Sequence, residues 1–297
     1  MKTRVFTELL QARWDEGRFL CVGVDPGVLD ENPKKNKIPQ AAHRHRRRDG
    51  KLDTHATIYA FCCAFVDATW RFAAAFKPNS AFFEQFGPEG LRLLADVTSH
   101  MRQIAPEVPA IYDGKRGDIG KSNRGYVERA FRFLDADAIT LHPYLGQEAL
   151  RPFLERREKG CIILCKTSNP GAHEFQDLVL EDGLKLWQRV ARNVAYNWNN
   201  YGNCGLVVGA TYPEDMAVVR KEIGDDVFIL APGIGTQGGD LEASVRAGRN
   251  SRRQGIIFNS SSGISEASSG PDFAQVAGKK AEELDLQIRQ LMAAEVA

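Results

Sequence analysis

The chain has 297 residues, 43% of them hydrophobic, and its 39 Lys and Arg against 38 Asp and Glu leave a formal charge of +1. That composition supports a large core in one or two domains and gives nothing that points to a nucleic-acid or membrane-surface partner. No apolar stretch approaches the ~20 residues of a transmembrane helix. The six cysteines, Cys21, Cys62, Cys63, Cys161, Cys165 and Cys204, show neither CxxC nor metal-type spacing and read as reduced core residues.

Residues 3–17 read as a short amphipathic helix with Phe6, Leu9, Leu10 and Trp14 on one face. Its charge and the lack of a long apolar core exclude a signal peptide, so a cytoplasmic protein is expected. Phe19 to Val24 is an apolar run stopped by Asp25-Pro26-Gly27, a buried strand with a carboxylate at its end. Residues 28–52 are polar and irregular and carry His43-Arg44-His45-Arg46-Arg47-Arg48, either a solvated loop or an anion-binding arm. A helix is predicted over about 53–72, then a strand over Ala73 to Phe76 with Lys77 at its end. Another helix spans 88–105, and the strand Val108 to Tyr112 runs into Asp113-Gly114-Lys115-Arg116-Gly117-Asp118. After a helix near 122–134 comes Ala138 to Leu141, ending at His142-Pro143, and a helix over 147–159. Cys161 to Cys165 leads to Lys166-Thr167-Ser168, a loop over 172–182 and a helix over 183–201. Leu206 to Val208 precedes a helix that starts at Pro213. Val227 to Leu230 ends in the Gly-rich stretch 231–239, Gly255 to Phe258 ends in Asn259 to Gly263, and a last helix spans 272–292.

Eight short apolar strands, nearly all alternating with helices, predict a parallel sheet with right-handed crossovers. At this length the expected fold is α/β, a single (β/α)8 TIM barrel of residues 1–297 with a polar insertion at about 28–52. A doubly wound open sheet fits less well, because no G-x-G-x-x-G follows the first strand. In a barrel, Asp25, Lys77, Asp113, Lys115, His142, Ser168, Thr211, Gln237 and Ser260 to Ser262 share the C-terminal rim, where active sites sit. Gly233, Gly235, Gly238 and Gly239 after the seventh strand would let the backbone approach a phosphate.

The D-x-K-x-x-D run has two readings: a surface turn with a solvated ion pair, or a buried charge array that positions a Lys as general acid. Two apart on a strand, Asp113 and Lys115 share a face, while Asp118 falls on the next loop. The glycines of this stretch permit a tight backbone. His142 reads as structural. No His/Cys cluster argues for a metal, and no Ser-His-Asp arrangement stands out.

Nearly the whole chain resembles the orotidine 5'-phosphate decarboxylase family in its longer bacterial form. The resemblance rests on V-G-V-D-P at 22–26, F-K-P-N at 76–79, D-G-K-R-G-D-I at 113–119, T-S-N-P-G at 167–171 and A-P-G-I-G-T-Q-G-G at 231–239. It implies a cofactor-independent, metal-free homodimer that decarboxylates orotidine 5'-monophosphate to uridine 5'-monophosphate in pyrimidine biosynthesis, with active sites at the dimer interface. Lys115 would protonate C6, Asp113 would lie beside the scissile carboxylate, and Lys77 would link the charges to the ribose that Asp25 binds. Asp118, Ile119 and Ser122 would reach in from the other subunit, and Ser168 would meet the pyrimidine amide edge. Pro232, Gln237 and Gly238 would grip the phosphate, with Ser261 and Ser262 at the end of strand eight.

One departure stands out. The family places a phosphate-pairing Arg after strand eight, and here Ser262 holds that position, so either an Arg of the 44–48 run substitutes, which is the expectation, or the enzyme is weakened. Two other functions stay open. One is a metal-dependent sugar-phosphate barrel enzyme with an ion among Asp25, Asp113 and His142. The other is an inactive nucleotide-binding protein.

Overall fold

The computed structural model describes residues 4–27, 38, 39, 42, 45, 47–234 and 240–294. Eight parallel strands alternate with helices: α1 (Phe6–Asp15), β1 (Leu20–Gly23), α2 (Thr54–Thr69), β2 (Ala73–Lys77), α3 (Gly87–Ile104), β3 (Ile111–Arg116), α4 (Gly120–Val127) and β4 (Ala138–Leu141). They continue with α5 (Gly146–Leu154), β5 (Gly160–Lys166), α6 (Leu186–Asn193), β6 (Cys204–Val208), α7 (Pro213–Ile223), β7 (Phe228–Pro232), α8 (Leu241–Gly248), β8 (Ile256–Ser260) and α9 (Phe273–Ala293). Every residue of β1, β2, β4, β6 and β8 is buried. Strands covered on both faces read as unbroken apolar runs, which is why they were visible without alternation.

The sheet order is β2-β1-β8-β7-β6-β5-β4-β3. The barrel closes between β2 and β3 through bridges at Phe76–Ala110 and Asn79–Asp113 rather than a full ladder. Phe76 N donates to Pro109 O at 2.9 Å and Asp113 N to Pro78 O at 3.0 Å. Pro78 and Pro109 accept but cannot donate, so this seam carries fewer backbone bonds than its neighbours.

Two apolar layers result. Inside the barrel lie Cys21, Ala74, Ala75, Ile111, Ile162, Val207, Leu230 and Ile257, together with Phe6 and Leu10 of α1. Leu9, expected on the same face, is only partly buried, whereas Arg13 is buried and donates to Ala73 O at 2.9 Å. The helices pack outside: α2 is capped by Asp53, whose side chain accepts from Ala56 N at 3.0 Å, and buries Ile58, Phe61, Cys62 and Phe65.

Several boundaries differ from expectation. β3 runs on through Asp113 to Arg116, and α4 begins at Gly120. The helix expected over 183–201 is α6 followed by a wider turn, Val194–Trp198. Within the expected loop over 172–182, His173–Gln176 forms a helical turn, and α8 fills the connection from β7 to β8. All six cysteines are free, five of them buried. No helix among the described residues is long and apolar enough to cross a membrane.

Candidate active site

The C-terminal ends of the strands surround a cavity of about 390 Å³, lined by Lys77, Asp113, Lys115, Thr140, Leu164, Thr167, Ser168, Asn169, Gln176, Val207, Leu230 and Pro232. A larger cleft of about 730 Å³ runs along Trp14, Asp225 to Phe228 and Gly255. Those residues precede strands, so that cleft lies at the opposite end, where a barrel keeps stabilising rather than reacting groups.

On the wall of the smaller cavity stands Asp113. Its Oδ2 accepts from Lys77 Nζ at 2.8 Å and its Oδ1 from Lys115 Nζ at 2.7 Å. Thr140 donates its hydroxyl to the same Oδ1 at 2.8 Å. The Lys77 and Asp113 side chains are each only 7% exposed, whereas Lys115 is 50% exposed toward the cavity mouth. Burial alone would lower the Lys77 pKa, but the charges of Asp113 and Asp25 outweigh it and hold the ammonium above its ordinary value. Burial would likewise raise Asp113, and Lys77 and Lys115 together hold it well below the carboxylate range. The solvated-turn reading of the D-x-K-x-x-D run is therefore set aside for Asp113, and Lys77 at the end of β2 is buried against it.

The local backbone is not the regular strand the spacing suggested. The β3–β4 register shifts between Tyr112 and Arg116, and Lys115 takes a left-handed φ of 44°. A β-carbon on Gly114 would stand 2.6 Å from the Tyr112 ring, and one on Gly117 would stand 2.5 Å from the ring of His142. These glycines serve close approach, while the positive φ falls on Lys115 itself. His142 Nε2 meets Gly117 O at 2.9 Å, a structural role as expected.

Asp25 lies at the end of β1 and accepts from Asn79 N at 3.1 Å, tying it to the turn after β2. Ser168 and Pro232 line the cavity. Behind Ser168, Lys166 Nζ binds both oxygens of Asp177 at 2.7 Å, and Gln176 folds back to Thr167, accepting from its amide at 2.9 Å and donating to its hydroxyl at 2.8 Å. Ser261 packs on β1, since a β-carbon on Gly23 would fall 1.8 Å from its hydroxyl. Ser262 opens the helical turn Ser262–Ser265. Gln237 and Gly238 of the phosphate stretch lie outside the described residues, as do Gly235, Gly239, His43, Arg44 and Arg46. Arg47 and Arg48 are described and exposed.

Asp118, Ile119 and Ser122 are not among the residues that line the cavity of their own chain. Asp118 Oδ1 accepts from Ile119 N at 2.7 Å, and Asp118 N donates to the buried Asn123 at 3.0 Å. Ile119 is 61% exposed, an apolar side chain offered to solvent on this rim. The metal-site alternative would gather Asp25, Asp113 and His142, but Asp113 is committed to two lysines and His142 turns to Gly117.

Sequence reasoning overlooked Thr140, Asn123 and Gln176. A single polar residue inside the apolar run Ala138-Ile139-Thr140-Leu141, of inward parity next to the DGK strand, was the available signal for Thr140.

Comparison with known proteins places the chain in a family. Residues 20–274 match the family model described as orotidine 5'-phosphate decarboxylase / HUMPS family. An orotidine 5'-phosphate decarboxylase of Bordetella avium is 46% identical over 277 residues, 93% of this chain and 95% of that protein. One from Roseiflexus is 43% identical over 87% of this chain and 88% of its own length. The structure of the Leishmania donovani OMP decarboxylase superposes with a TM-score of 0.80 at 34% identity, covering 98% of this chain and 100% of the other.

Proposed function

Because the chain belongs to the orotidine 5'-phosphate decarboxylase / HUMPS family, we infer that it converts orotidine 5'-monophosphate to uridine 5'-monophosphate and CO2. The observation that carries the reading is the Lys77–Asp113–Lys115 array on the wall of a cavity at the C-terminal rim. As the bond from C6 to the carboxylate breaks, its electron pair stays on a ring carbon with no adjacent sink. That charge needs fixed electrostatic stabilisation. The Lys115 ammonium supplies it and delivers the proton to C6, after which solvent restores the lysine. Asp113 orients Lys115 and stands beside the departing carboxylate. Binding energy from the remote phosphate holds the pyrimidine against that like charge.

We assign Ser168 to the pyrimidine edge, Asp25 and Lys77 to the ribose side, and Pro232, Gln237, Gly238, Ser261 and Ser262 to the phosphate side. The reading invokes no cofactor. Purified, chelator-treated protein is expected to turn over orotidine 5'-monophosphate, followed by the change in ultraviolet absorbance. Binding without turnover would favour the inactive nucleotide-binding alternative, and activity lost to the chelator would favour the metal-dependent one.

We further read the protein as a cytoplasmic homodimer with shared sites. The exposed Ile119 and the position of Asp118 and Ser122 outside their own cavity support this. Lys115→Ala and Asp118→Ala chains, each inactive alone, should regain about a quarter of wild-type activity when mixed and allowed to exchange, since half the dimers then carry one intact site of two. Activity no greater than the sum of the separate variants would rule out sharing.

A further inference from the structure

The peptide group that joins Gly114 to Lys115 is held at both ends by side chains. Its N–H donates to Thr140 Oγ1 at 2.9 Å. Its carbonyl accepts from Arg116 Nη1 at 2.8 Å. Neither bond is a ladder bond, since each engages a side chain where the β3–β4 ladder is interrupted by the register shift between Tyr112 and Arg116. The left-handed φ of 44° at Lys115 sits at this same peptide. A non-glycine residue in that region persists only where its surroundings over-determine it.

Each partner is itself fixed. Thr140 is 2% exposed and donates its hydroxyl hydrogen bond to Asp113 Oδ1 at 2.8 Å. Arg116 is ion-paired through Nη2 with Glu84 and reaches the Tyr112 hydroxyl at 3.3 Å. Glu84, in the helical turn that follows β2, also takes Arg129 Nη2 at 2.7 Å. The grip on one peptide plane thus comes from Thr140 of β4 on one side and, on the other, from Arg116 at the end of β3, which Glu84 of the β2–α3 connection holds in turn.

We propose that Thr140 and Arg116 are positioning residues that clamp the 114–115 peptide and so aim Lys115 into the cavity. This inference rests on the decarboxylase reading. A general acid displaced by about 1 Å can lose on the order of 100-fold in rate, so the clamp acts on turnover and not on binding.

The test is steady-state kinetics with orotidine 5'-monophosphate together with the dissociation constant for uridine 5'-monophosphate. Thr140→Val keeps the shape and removes the hydroxyl. Arg116→Met removes the other grip and does not touch Asp113. Each is expected to lower kcat about 100-fold with the nucleotide dissociation constant changed less than about threefold, and Thr140→Ser should recover most of the loss. Because both residues hold one peptide, the double variant should lose much less than the product of the single losses. Arg116→Met with unchanged kcat would mean that Thr140 acts only through Asp113, and the clamp is then wrong. Multiplicative losses, or a Thr140→Ser as impaired as Thr140→Val, would overturn it too. Wild-type protein without turnover would remove the decarboxylase reading itself, a failure distinct from these.

Discussion

Lys115→Ala is expected to lower kcat by about 10⁴-fold or more, because it removes a positioned general acid, worth roughly 10²–10⁴, and a charge aimed at the developing carbanion. The two contributions come from one ammonium and are not separable by this change. Nucleotide binding should survive, since Lys115 is half exposed and the proposed binding mode assigns the phosphate to other residues. Folding should survive as well, because Asp113 keeps Lys77 as a partner at 2.8 Å. Activity within tenfold of wild type, measured against a verified absence of contaminating host enzyme, would remove Lys115 from the role of proton donor.

The second large effect is on stability. Asp113→Ala strips the partner from a lysine whose side chain is 7% exposed. Leaving one charge of a buried pair uncompensated costs roughly 3–5 kcal/mol. Asp25 also bears on Lys77, which puts the expected loss at the lower end, about 3 kcal/mol. The site of the damage matters, because the Lys77–Asp113 pair spans the seam where β2 and β3 meet through bridges rather than a full ladder. Adding Lys77→Met should restore most of the lost stability while activity stays absent, since the remaining charge is then removed. A denaturant midpoint for Asp113→Ala equal to wild type, or a double variant less stable than the single, would contradict this account.

The pH dependence of the same pair follows from the directions of the two shifts. Asp113 is depressed, so its stabilisation is complete above the ordinary carboxylate value and lost as pH falls through its folded value. Lys77 is raised, so its stabilisation is complete below the ordinary lysine value and lost as pH rises through its folded value. Between about pH 4 and pH 10 both contributions are intact. A stability change inside that window belongs to other groups.

Much of the fold was legible because strands buried on both faces announce themselves as apolar runs, and turn residues mark where each one ends. The connection from β7 to β8 was less visible. Its helix, Leu241–Gly248, is only eight residues long and follows a glycine stretch, so periodicity had little length to register. The expected loop over 172–182 hid a helical turn for the same reason. The site was legible in its charges: spacing alone put Asp113 and Lys115 on one face, and the apolar context put Lys77 at a strand end.

What the sequence by itself determined is the set of groups that meet at the rim, since strand order and parallel direction bring all the C-terminal ends together. What only the tertiary structure decided is how those groups are held. The grip of Thr140 on the Lys115 amide, the pairing of Arg116 with Glu84 and the bridged seam beneath Asp113 all arise between segments 25 to 36 residues apart in the chain. Local propensity carries no information at that separation. Lys115, an unremarkable residue by propensity, takes a glycine-like conformation where Thr140 holds its amide and Arg116, paired with Glu84, holds the preceding carbonyl.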